Sequence, residues 1–258
     1  MSWYPQIGSG TIAQLPVSRS RKWRVIANSL ESGEQVLLPD TAAGRIEWDL
    51  SYQDLNASEA QSLSTFFSAS QGGFVPFGFV DPMANLLGWS ESLLQSSWQQ
   101  ELLQISAGAR DPLGAQRAST IANPNPGSQA LEQTLGISGD FVACFSAYLF
   151  SSGATTVTLQ RDAAQVVVNV GPRWTRACLS GRGANGAAQS TFSLVLSTGQ
   201  TLNVWGLQVE AQPYPSAYKP TNAAIGIYEE TYFAGDELTM TSTAPGLSSC
   251  EITLLSRV

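Results

Sequence analysis

Hydrophobic and polar positions alternate with period two along most of this chain, and a helical period appears clearly only once. From Gly44, Ile46, Trp48, Leu50 and Tyr52 share one face while Arg45, Glu47, Asp49 and Ser51 share the other, the pattern of a half-buried strand. Before it, Arg21–Ala27 and Gln35–Pro39 are extended runs separated by a Ser32-Gly33-Glu34 turn, the spacing of a hairpin. After it, Asn56 is a good N-cap and Glu59 completes a capping-box spacing. Ala60, Leu63, Phe66 and Phe67 then recur at helical intervals until Gly72-Gly73, which predicts a helix over Ala57–Gln71. Its aromatic stripe reads as core, because nothing polar converges on it. Phe74–Pro82 returns to extended chain and ends on Asp-Pro.

From Asn85 the chain turns rich in Gly, Ser, Ala and Gln, and strands recur without another good helix. Trp98–Ile105, Gln116–Ile121, Phe141–Phe150, Thr155–Gln160, Ala164–Val170, Arg173–Leu179, Thr191–Leu196 and Leu202–Val209 make eight, separated by Gly- and Pro-marked turns. Eight antiparallel strands suit a two-sheet jelly roll. Three further strands, Ala224–Phe233, Glu237–Ser242 and Cys250–Leu255, are surplus to it. The expectation is a mainly β protein in which a small β-sandwich domain with one helix, residues 1–84 plus 222–258, is interrupted by an inserted eight-stranded jelly roll, residues 85–221.

The strand Leu202–Glu210 ends in Gly206-Leu207-Gln208-Val209-Glu210 and runs into a Pro-, Ser- and Tyr-rich tail to Thr221. Ahead of it, in order, stand Asn85-Leu86-Leu87, Trp98, Phe145-Ser146-Ala147-Tyr148 and Trp174-Thr175-Arg176. This series resembles the jelly-roll modules of bacteriophage tail and fibre proteins. The hairpin, strand, helix and Phe-x-Phe-x-Asp-Pro strand of the first 84 residues resemble the ring-forming domain of phage distal tail proteins. The resemblance implies a structural component of the virion tail tip, assembled in the host cytoplasm. It implies a ring of copies, usually six, joining the tail tube protein to the hub and tail-fibre proteins and carrying jelly rolls outward. The alternative it leaves open is a carbohydrate- or receptor-binding accessory or tail-fibre protein.

Composition narrows the chemistry. Only 13% of the 258 residues are charged, about half of the usual share, and the net charge is −7. That field repels phosphate backbones, so nucleic acid is not an expected partner, and the basic run Arg19, Arg21, Lys22 and Arg24 reads as a solvated or intersubunit face. No apolar run is long enough to span a membrane, and the start lacks a signal-peptide layout. Cys144, Cys178 and Cys250 are odd in number and far apart, the first two in strand-like apolar context, which reads as small buried hydrophobes.

The chain has no histidine, which removes the commonest general base and zinc ligand, and no nucleophile elbow, phosphate loop or Cys-x-x-Cys is present. No catalytic residue, cofactor or metal is expected. Paired acids for glycoside cleavage, Glu101 with Asp111 or Glu229 with Glu230, are the weakest reading, and Asp111 and Asp140 lack the dense spacing of a calcium loop. The sharper possibility is host glycan binding through an exposed aromatic platform. Trp89, Trp98 and Trp174 are the candidates, with Trp205 beside them, although tryptophans of a strand-rich module more often pack in its core.

Overall fold

The computed structural model describes residues 2–100, 102–223 and 225–257. The chain divides into two compact units, the first comprising Met1–Gly8, Ile12–Val80 and Tyr228–Val258, the second Ser9–Thr11 and Asp81–Ile227. In chain order the elements are β1 (Val17–Ser29), β2 (Gln35–Asn56), α1 (Ala57–Ala69), β3 (Phe77–Val80), β4 (Gln104–Ala109), β5 (Ala118–Ala122), β6 (Gln129–Leu135), β7 (Ala143–Phe150), β8 (Thr155–Arg161), β9 (Ala164–Val170), β10 (Thr175–Gly181), β11 (Ser190–Leu196), β12 (Thr201–Glu210), β13 (Ile227–Phe233), β14 (Thr241–Ala244) and β15 (Leu247–Arg257).

The first unit is built on one six-stranded sheet in the order β1-β2-β15-β13-β3, with β14 paired to β15. The two extended runs after the Ser32–Glu34 turn are a single 22-residue strand, β2. Ile46, Trp48, Leu50 and Tyr52 all point into the core and are 3% exposed or less. Helix α1 and the N-terminal segment supply the covering layer. Asn56 caps α1 by accepting from Ser58 N and Glu59 N, while Glu59 bonds back to Asn56 N, the reciprocal capping box its sequence predicts. Tyr4 is the hub of the aromatic layer: its ring lies 5.7 Å from Phe66, 6.0 Å from Phe77 and 5.7 Å from Phe79, and its hydroxyl meets that of Tyr52 at 3.0 Å. Such ring pairs add to the burial energy when offset or edge-on.

The far half of the first hairpin is different. Residues 24–29 and 35–40 pair only with each other, the register breaks between Lys22 and Arg24, and residues 24–39 are exposed on both faces of the ribbon.

The second unit is a two-sheet sandwich, with five strands in the order β10-β7-β12-β5-β4 facing four in the order β6-β11-β8-β9. Phe145 on β7 meets Phe192 on β11 at 5.9 Å, which fixes the inward side of both sheets. Alternation then sends Ala143, Ala147 and Leu149 inward with Phe145, and all are buried. Burying each large apolar side chain there contributes about 1.5–3 kcal/mol.

Among the described residues nine strands form this sandwich rather than eight. The extra one is β6, whose inward positions are Leu131, Gln133 and Leu135; the polar middle residue masks the alternation. Gln133 is tolerated inside because it accepts from Gly88 N at 3.0 Å and donates to Gly88 O at 2.7 Å. The first strand also begins later than its sequence suggests, at Gln104 instead of Trp98.

Candidate glycan-binding face

Because Phe145 and Leu149 point into the sandwich, Cys144, Ser146, Tyr148 and Phe150 of β7 lie on the outer face of the five-stranded sheet. The neighbouring strand β12 keeps its own alternation in step only through a bulge. Trp205 is opposite Tyr148 and Gln208 opposite Ser146, so one extra residue is absorbed between them. Gly206, at φ 66°, makes that bulge, and a Cβ there would approach the Tyr148 ring to 3.0 Å and the Tyr218 ring to 3.3 Å. The bulge leaves Val204 and Val209 inside and turns Trp205, Gln208 and Glu210 outward.

The middle of this outer face is covered by the chain's own segment 211–221. Buried Glu210 accepts from Ser216 N at 2.9 Å, from Ser216 Oγ, from Lys219 Nζ at 3.0 Å and from Gln208 Nε2 at 2.7 Å. Burial pushes the Glu210 carboxyl up, but the Ser216 hydrogen bonds and the Lys219 ammonium outweigh it and hold it below the usual carboxylate range. Gln208 Oε1 accepts from Lys219 N at 2.8 Å. Arg176 lies 5.2 Å over the Tyr148 ring and donates to Ser216 O at 2.6 Å and to Ser146 Oγ at 3.0 Å. Tyr218 packs on Trp205 at 4.7 Å. Asn85 secures the other end, donating to Leu207 O and Lys219 O at 3.0 Å each and accepting from Leu87 N and Val209 N. The motif residues Asn85, Ser146, Tyr148, Arg176, Gly206, Gln208 and Glu210 are thus all engaged in closing the fold.

A row across the sheet, beyond that covered patch, stays open. Trp174 and Phe150 stand side by side with ring centres 5.6 Å apart and planes tilted by 39°. Phe150 is opposite Asn203 on β12, Asn203 is opposite Thr120 on β5, and Thr120 is opposite Ser106 on β4. Thr120 donates its hydroxyl to Asn203 Oδ1 at 2.8 Å. Trp174, Phe150, Asn203 and Thr120 are half-buried and Ser106 is exposed. Two aromatic faces followed by an amide and two hydroxyls can stack on the apolar face of a sugar ring and hydrogen-bond its rim.

Of the tryptophans singled out from the sequence, Trp174 alone lies on this row. Trp98 is 3% exposed and donates its indole N–H to Trp89 O at 3.1 Å, so it is part of the packing and presents no platform. Trp89 is half-buried at a left-handed turn with φ 52°. Trp205 is sealed beneath Tyr218 and Arg117 and bonds Glu91. Phe150, Asn203, Thr120 and Ser106 stand in no motif of their own. The usable signal was the alternation of β7, which places Phe150 and Tyr148 on the face opposite Phe145.

The acidic candidates are dispersed. Asp111 is buried and accepts from Leu113 N, Ala115 N and Arg117 Nε, a loop staple. Burial raises its carboxyl, and Arg117 with the two backbone donors brings it below the usual range. Asp140 accepts from Gly186 N in another loop, Glu229 and Glu230 are both exposed on β13, and Glu101 lies outside the described residues. Among the described residues no cluster of three or more metal-ligating side chains occurs. Cys178 is exposed, against the buried position its strand context suggested, while Cys144 and Cys250 are buried.

No protein-family model matches this chain, and no curated protein does. Solved structures do. A xylan-binding domain of carbohydrate-binding module family 22 aligns with 53% of this chain and 100% of its own, at 11% identity and a TM-score of 0.42. The C-terminal family 22 module of Clostridium thermocellum Xyn10B aligns with 51% of this chain and 95% of its own, at 12% identity and a TM-score of 0.39. The enzymatically active domain of tailspike protein 4 of bacteriophage CBA120 aligns with 51% of this chain at 13% identity and a TM-score of 0.38, and the match spans 22% of that domain's length.

Proposed function

We propose that the second unit is a carbohydrate- or receptor-binding module and that the protein serves as a recognition component of a bacteriophage tail. The observation that carries this is the pairing of Trp174 with Phe150 at the end of an open polar row on the outer face of the five-stranded sheet. A host-surface glycan lying across β10, β7, β12 and β5 meets the two rings first and the Asn203 and Thr120 groups next. The reading assigns binding to this face and no catalysis. Its test is a glycan array probed with the wild type, Trp174→Ala and Asn203→Ala. Retention of one glycan class by the wild type, lost in Trp174→Ala and weakened in Asn203→Ala, supports it; a wild type that retains nothing, or retention unchanged in both variants, ends it.

A second reading, the tail-tip ring that joins the tube to hub and fibre proteins, is favoured by the first unit. Its hairpin carries a ribbon of exposed apolar side chains, as expected of a subunit made to be packed against others. Negative-stain microscopy of the purified protein reads this directly: rings with an open lumen favour it, and isolated two-lobed particles leave the recognition reading alone.

A further inference from the structure

Nine asparagines occur in the chain, and only Asn185 is followed by glycine. An asparagine side chain is most open to attack by the next residue's backbone nitrogen when that residue has no side chain to hinder the approach. Asn123 and Asn125 precede prolines, which have no N–H to react, and the amide groups of Asn56, Asn85 and Asn203 are taken up in hydrogen bonds. Asn185 and Gly186 are both exposed on the loop 182–189 that joins β10 to β11. A Cβ added at Gly186 would meet nothing within 4 Å, so its surroundings are open to water.

The nitrogen placed to attack is already held by a base. Gly186 N donates to Asp140 Oδ1 at 3.1 Å, within the reach a general base needs. Ser138 Oγ donates to the other carboxylate oxygen at 3.4 Å, and Arg182 Nη1 donates to the Asp140 carbonyl. The loop is closed on both sides of this contact: Gly183 N donates to Gly139 O at 2.7 Å, and Ala184 N to Asp162 Oδ2 at 3.3 Å. Beneath it the buried Arg161 guanidinium donates to the Gly139 and Gly181 carbonyls. Electrophile, nucleophile and proton acceptor thus adjoin in one pinned turn.

We propose that Asn185-Gly186 is a self-modification site at which Asp140 acts as the base. Asp140 takes the Gly186 amide proton, the freed nitrogen bonds to Asn185 Cγ, and the side-chain nitrogen departs with that proton as ammonia. The five-membered imide then takes up one water and opens at either carbonyl, giving aspartate or isoaspartate. The imide has no N–H for Asp140 to hold, and its products set a second carboxylate beside the first, taking the net charge from −7 to −8. Like charges then adjoin on a loop that one of them had closed. Trp174 stands at the other end of β10, so this site is independent of the glycan-binding reading.

The test holds the full chain at neutral pH for several weeks and follows the peptide containing residue 185 by mass spectrometry, with Asn185→Asp as the product standard. The wild type should convert Asn185 ahead of every other asparagine, and Asn185→Gln should not convert. Native chain should react about tenfold faster than the same chain in denaturant, where Asp140 no longer faces Gly186. Asp140→Asn, with an unchanged melting temperature, should slow conversion about tenfold or more. Its rate should also rise in proportion to hydroxide from mildly acidic to neutral pH, whereas the wild-type rate stays nearly level there. An Asn185 that remains an amide throughout overturns the site. Conversion as fast or faster in denaturant, or in Asp140→Asn, overturns the role of Asp140, because a carboxylate that only pinned the turn would protect Asn185. If Asp140→Asn does not fold, the comparison in denaturant decides.

Discussion

Glu210 accepts twice from Ser216, from its backbone N–H at 2.9 Å and from its hydroxyl, and this pair of hydrogen bonds fastens the proline-rich segment to the strand it has just left. The carboxylate is 1% exposed and carries the Lys219 ammonium as well. Hydrogen bonds to a charged group contribute about 1.5–3 kcal/mol each, and a buried partner left without one costs a similar amount.

Glu210→Gln is therefore expected to destabilise the fold by about 3 kcal/mol near neutral pH. The folded carboxyl titrates below its unfolded value, so its contribution is fully present above the unfolded pKa of 4.5 and is lost as pH falls through the folded one. Asp111 has the same sign and remains in both proteins, so the informative quantity is the difference between them. Melting temperatures of wild type and Glu210→Gln should be well separated at pH 7 and converge as the pH drops below 4.5. A separation independent of pH would mean that the charge of Glu210 is not what holds the segment.

Two tryptophans on the same sheet face should respond in opposite ways. Trp205 is 6% exposed, lies beneath the Tyr218 ring and the Arg117 guanidinium, and holds Glu91 at 3.1 Å. Trp205→Ala should cost about 3–5 kcal/mol, the range for truncating a packed aromatic residue. Trp174 is half-buried beside Phe150, and Trp174→Ala should stay within about 1 kcal/mol while removing glycan binding. Chemical denaturation of both variants checks the pair; equal losses of stability would place Trp174 in the packing and undo its role as a platform.

What the sequence made legible follows from how strongly a pattern constrains neighbours. Ile46 to Tyr52 alternates without interruption, and the Asn56/Glu59 spacing has one physical use, so both elements could be placed from residues alone. Strand β6 escaped because Gln133 occupies an inward position, and only the Gly88 backbone that satisfies it explains why. The outer face was harder still. Alternation marks Trp205 and Trp174 alike, and what separates them is a covering segment that arrives from Tyr214 to Thr221, which local pattern does not register. The Gly206 bulge has the same character: it shifts every later residue of β12 by one face, so the period-two reading of Gly206, Leu207 and Gln208 breaks there.

The helix is expected to depend on its cap. Asn56 Oδ1 accepts from Ser58 N at 3.0 Å and Glu59 N at 3.1 Å, and Glu59 reaches both Asn56 N and Gly8 N. Asn56→Ala strands two donors and should lower the urea midpoint by the equivalent of about 1 kcal/mol with an unchanged slope, while Asn56→Ser should recover most of it. A loss confined to the slope would point to the unfolded state instead.

The three thiols should separate cleanly by reactivity. The thiolate is the reacting species, so burial protects a cysteine both by blocking access and by raising its pKa. Burial pushes Cys144 up to about 12, with the neighbouring Cys178 thiol and the Glu210 carboxylate adding to it, and burial pushes Cys250 up to about 11. Cys178 lies exposed on β10. A chromogenic disulfide reagent added to the native protein is therefore expected to label one thiol per chain quickly, and peptide mapping should place that label on Cys178. The other two should appear only with unfolding, at a rate that tracks the opening of each unit. The Cys178→Ser variant should give no fast phase at all, and a second fast thiol in that variant would show that the outer face around Cys144 is not sealed by Ser216 and its neighbours.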